Sequence, residues 1–87
     1  MKSTKPKKLL KKIFIINRET GQTDFVIENQ AQYDYYWNWF LKQNDIKKGV
    51  EVFSDLTETT QDEYLKDFDL IELVNCFSIN YIAQRSK

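Results

Sequence analysis

Histidine is missing from this 87-residue chain, and Cys, Pro and Gly are scarce: one Cys, one Pro and two Gly. Without histidine the commonest general base and metal ligand is gone. A lone thiol, Cys76, can neither staple the fold nor complete a zinc site, and it reads as a small buried hydrophobe in a reducing compartment. Gly21 and Gly49 are too few and too far apart to build a phosphate-cradling loop. No uninterrupted apolar run approaches the roughly 20 residues that cross a bilayer. The opening MKSTKPKKLLKK is basic but lacks the apolar stretch of a signal peptide. Asp55, Glu58, Asp62 and Glu63 lack the order of a calcium loop and read as charge at a helix N-terminus. The expectation is a cytoplasmic, non-enzymatic protein with no cofactor, no metal and no membrane partner.

Charge of one sign is also missing, region by region. Thirteen basic and thirteen acidic residues cancel overall, yet residues 1–18 hold seven bases and no acid. Residues 49–84 hold eight acids and a single base, Lys66. Separated poles of this kind can steer association or bind a surface of opposite sign. The basic arm is therefore either a solvated tail, a strip lying on the protein's own acidic half, or a nucleic-acid contact made by Lys5, Lys7, Lys8, Lys11 and Lys12. A net charge of zero argues against the last. Richness in Lys, Asn and Ile matches an AT-rich coding sequence of the kind found in phages and low-GC bacteria.

The size bounds the architecture to one domain, with a flexible basic tail over residues 1–8, an α+β domain over 9–84 and a short tail over 85–87. KIFIIN and QTDFVIE flank RETG, which predicts a β-hairpin with Gly21 at positive φ. Apolar residues fall on both faces of that hairpin, so its sheet is either covered on both sides or meets something external. Asn29 caps a helix that runs to about residue 43 or 44, and Gly49 ends that segment. Residues 50–53 read as a third strand. Thr60 and Glu63 match a capping box for a second helix. Residues 69–83 fit a helical and a strand period equally; length favours a helix, with Asp69 as its cap after a break near residues 67–69.

What the chain does have is ring surface. YDYYWNWF, residues 33–40, places six aromatics in eight positions. At about 100° per residue, Tyr33, Tyr36, Trp37, Phe40 and Leu41 form one stripe, the natural core face. Tyr35, Trp39 and Ile46 project onto a second stripe. That second stripe is covered by the C-terminal helix, docks a protein partner or a twin subunit, or stacks on unpaired bases beside the lysine arm. The protein-binding reading, with Tyr35, Trp39 and Ile46 as anchors, is the expectation. Its alternatives are nucleic-acid binding and an acidic surface that mimics phosphates to inhibit a nucleic-acid-binding protein.

Overall fold

A computed structural model describes residues 7–86. The hairpin forms as its turn chemistry dictates. Strands β1 (Ile13–Asn17) and β2 (Thr23–Ile27) pair antiparallel around a turn with Gly21 at φ 75°. The Asn17 side-chain oxygen accepts from the amides of Glu19 (2.8 Å) and Thr20 (3.2 Å), while its carbonyl accepts from Gly21 (2.8 Å). This is the backbone mimicry that makes Asn a turn former. A bulge between Ile15 and Ile16 shifts the register at the turn end of the pair.

Helix α1 (Gln30–Leu41) starts where expected, with the Asn29 side chain accepting from the Gln32 amide at 2.9 Å. It ends at Leu41, and a second helix begins almost at once: α2 (Asn44–Leu56). The expected strand at residues 50–53 is therefore a correction, as is the stop at Gly49, because both lie inside α2. Ile46, Val50 and Ser54 are buried at i, i+4 and i+8, so the 3.6-residue period wins over a short V-E-V-F alternation. Gly49 is there for space. A Cβ would run into the Phe77 ring, whose Cε1 lies 3.0 Å from that position, so glycine lets α2 pack closely on the next layer. The helix stops at a Schellman-type end, with Thr59 N–H on the Ser54 carbonyl (3.0 Å) and Glu58 N–H on that of Asp55 (3.0 Å). Glu58 takes the positive φ (59°) that glycine more often supplies.

Helix α3 (Gln61–Leu65) is capped by Thr60, whose hydroxyl accepts from the Glu63 amide at 3.1 Å. After a break, Asp69 caps α4 (Leu70–Phe77) in a full box: its carboxylate accepts from the Glu72 amide at 2.8 Å and the Glu72 side chain from the Asp69 amide at 3.3 Å. The helix does not continue to residue 83, and Cys76 on it is exposed rather than buried. Ser78 turns the chain, its hydroxyl accepting from the amides of Asn80 (3.2 Å) and Tyr81 (3.0 Å), and β3 (Tyr81–Arg85) follows. Local hydroxyl-to-amide bonds compete with helix propagation, and the free edge of β1 supplies the alternative partner. Arg85, which the sequence places in a tail, closes that strand.

The sheet order is β2-β1-β3, all antiparallel, so the latest strand completes the hairpin on its far side. Ile13, Ile15, Ile27 and Ala83 form its buried face, and all four helices contribute to the core laid on it. Phe14, Ile16 and Val26 are half-buried on the opposite face, and Ile82 is exposed there. The outer edge of β3 is closed by a side chain: Asn75 donates to the Ala83 carbonyl (2.9 Å) and accepts from the Ala83 amide (2.8 Å). That contact takes up backbone groups on which another strand would otherwise pair.

Candidate docking surface

Crowded rings on α1 act first as a spacer. Tyr33, Trp37 and Phe40 are buried, and Tyr36 and Leu41 half-buried, as the stripe predicts. Trp39 joins the same layer. Its ring meets Phe40 at 4.9 Å, Phe25 at 5.6 Å, Tyr36 at 6.0 Å and Tyr81 at 6.3 Å between centroids, within the range of edge-to-face attraction. Phe25 of β2 and Tyr81 of β3 reach each other at 5.6 Å between centroids, and both meet the Trp39 ring.

Of the three expected anchors, the structure brings no two together on an open surface. Tyr35 is exposed (62 %) and leans edge-on against Tyr36 at 5.1 Å. Trp39 is half-buried in the ring layer. Ile46 is fully buried, which corrects its assignment as a contact residue. The cause is the break at Lys42–Gln43, since a projection at 100° per residue holds only along one helix axis.

Among the expected basic contacts, Lys5 lies outside the described residues. Lys7, Lys8, Lys11 and Lys12 are exposed. Their arm is tied to the start of α1 by the Gln30 amide, which accepts from the Leu9 N–H (2.7 Å) and donates to the Lys7 carbonyl (3.0 Å). Leu9 packs on the core and Leu10 points out, 79 % exposed. Lys12 pairs with Glu28 at 3.5 Å. Among the described residues Lys7, Lys8 and Lys11 have no acidic partner.

A more exposed apolar surface lies on α2, where sequence reading expected a strand. Val52 (45 % exposed), Phe53 (47 %) and Leu56 (71 %) occupy one flank of that helix. Phe53 continues inward to a ring cluster assembled from three further places in the chain: Phe53–Phe77 at 5.9 Å, Phe68–Phe77 stacked at 6.0 Å and Tyr64–Phe68 at 5.2 Å. Glu51 and Asp55, one helical turn apart, are exposed on the adjoining side, and exposed Glu58 follows the helix end. None of these three acids has a basic partner among the described residues. Lys66, the sole base of residues 49–84, is bound to Glu63 at 3.1 Å, which raises its pKa. The signal was in the sequence: Gly49, Val52, Phe53 and Leu56 follow the i, i+3, i+4, i+7 spacing once residues 44–56 are read as a helix.

Among the described residues no group of three or more Cys, Asp or Glu is placed to hold a metal ion. A shallow cleft of about 510 Å³ between the hairpin turn and the α4–β3 loop is lined by Asn17, Arg18, Glu19, Ile79, Asn80 and Tyr81. The Arg18 Nε there donates to the Tyr81 carbonyl at 3.1 Å. The perturbed phenol is Tyr33, whose pKa is raised by burial. Its oxygen accepts the Leu70 amide at 3.0 Å, a structural cap on α4. No helix among the described residues is long and apolar enough to cross a membrane. Comparison of the chain with protein-family models, with curated proteins and with solved structures returned no match.

Proposed function

We propose that this protein is a non-catalytic protein-binding module, an adaptor or inhibitor, that docks through the α2 flank rather than through α1. The observation that carries the reading is the row Val52, Phe53 and Leu56, exposed together beside acids that have no basic partner among the described residues. Contiguous apolar area rimmed by charge is the anatomy of a docking site, in which the apolar centre supplies affinity and the rim supplies specificity. Phe53 and Leu56 are the anchors, and Phe77 forms the floor beside Phe53. Nucleic-acid stacking on α1 has less support, because Trp39 is taken up by four neighbouring rings and leaves Tyr35 alone on that face.

The test is retention of polypeptide partners, own copies included, on immobilised wild type, Leu56→Asp and Tyr35→Ala, with circular dichroism to verify each fold. Leu56→Asp should weaken retention by at least about tenfold, as expected for a hot spot, while Tyr35→Ala leaves it unchanged. Equal retention by wild type and Leu56→Asp, or no retention by wild type, would overturn the reading.

A further inference from the structure

Both halves of a complementary contact are present in this one chain, and from this we infer that the occupant of the α2 flank is the basic arm of a second copy. The inference rests on the α2-flank reading above and names the partner of that site. Among the described residues Leu10 is the most exposed large apolar side chain at 79 %, and it stands between Lys8 and Lys11 in sequence. Leu56, at 71 %, follows Asp55 at the end of α2 and precedes Glu58, while Glu51 lies earlier on the helix, one turn from Lys48. An apolar knob flanked in sequence by lysines thus has its counterpart in an apolar flank edged on one side by carboxylates.

Two further observations favour a second copy. The arm is held on α1 by two bonds to Gln30, and Leu9 is seated on the core, so Lys8, Leu10 and Lys11 project to solvent from a fixed base. Little ordering entropy is then left to lose on docking. The molecule also carries a net charge of zero, so copies do not repel at long range while their unlike poles attract. Because the contact joins unlike surfaces, it propagates head to tail and either closes into a ring or extends.

Sedimentation of the full chain over a concentration series tests the proposal. At low salt the mass should rise with concentration. Association should weaken at least about tenfold when the Debye length is shortened from ~30 to ~3 Å, between about 0.01 and 1 M ionic strength. Leu10→Asp and Leu56→Asp, both at exposed positions, should each abolish it. Lys8→Glu with Lys11→Glu should be monomeric alone, as should Glu51→Lys with Asp55→Lys. An equimolar mixture of these two charge-reversed variants should associate again. A wild type that stays monomeric, or a mixture that stays monomeric, overturns the proposal. If the wild type is monomeric while Leu56→Asp still loses a foreign protein retained by wild type, the homotypic occupant falls and the flank reading stands. If copies associate but Leu56→Asp leaves both association and retention unchanged, both fall.

Discussion

The sheet with α1 and the layer made by α2, α3 and α4 are both rich in rings, yet they treat them differently. On α1 six aromatics follow one another, and only Tyr35 ends up largely in solvent. In the other layer four rings come from four separate stretches, and Phe53 remains 47 % exposed with Val52 and Leu56 beside it. Density of rings along the chain therefore does not mark a surface. What lies opposite does: α1 faces a three-stranded sheet with its own rings, whereas on α2 Phe53 reaches only the Phe77 ring and Val52 and Leu56 stay exposed.

That contrast can be broken from its buried side first. Trp37 is fully buried, and Trp37→Ala should cost about 3–5 kcal/mol in a denaturant titration. Trp39→Ala, at a half-buried position with four ring contacts, should cost about 2 kcal/mol. If the Trp39 change were silent, the ring layer would not be the support it is described as. The Trp37 indole N–H is buried with no hydrogen-bond partner among the described residues, so part of its packing gain is already offset.

Tyr33 joins the two halves, since its hydroxyl caps α4 from α1. Tyr33→Phe leaves the buried Leu70 N–H unpaired and should cost about 1–3 kcal/mol. The same residue predicts a pH effect. Burial raises the phenol's pKa in the folded state, so above the unfolded value of ~10 the unfolded chain releases this proton first. Stability contributed by Tyr33 is whole below pH ~10 and declines as pH rises through the folded pKa. Unfolding free energy measured against pH should fall above ~10 in wild type, and less steeply in Tyr33→Phe. Equal slopes would show that the buried phenol is not the group responsible.

The smallest effect sharpens the comparison at its exposed end. Tyr35→Ala should change stability by no more than about 0.5 kcal/mol, despite removing a ring from the most aromatic stretch of the chain. A larger loss, read from the same titration, would place Tyr35 in the supporting layer with Trp39.

Legibility followed how local the deciding interaction is. The turn at Asn17–Gly21 and the caps at Asn29, Thr60 and Asp69 were readable, because each rests on a side chain and amides two to four residues away. The stripe of Tyr33, Trp37 and Phe40 was readable for the same reason, being one uninterrupted turn geometry. Gly49 misled because glycine ends helices more often than it lets two helices approach, and its reason is a Phe77 ring 28 residues away in sequence. Ile46 misled because its angular position was carried across a helix break. A strand over residues 50–53 hides the α2 flank, although Val52, Phe53 and Leu56 also fit the spacing of one helix face.

By itself the sequence determined the α+β class, the hairpin, the starts of α1, α3 and α4, the segregation of charge and the core face of α1, all of which depend on short-range periodicity and hydrogen bonding. Only the tertiary structure decided that residues 81–85 join the sheet, that residues 50–53 stay helical and which apolar flank was left open. Those outcomes turn on long-range partners: the vacant edge of β1, the Phe77 ring against Gly49, and the presence or absence of a covering layer. A residue pattern states that a face must be apolar, but coverage depends on what the rest of the chain has left to place there.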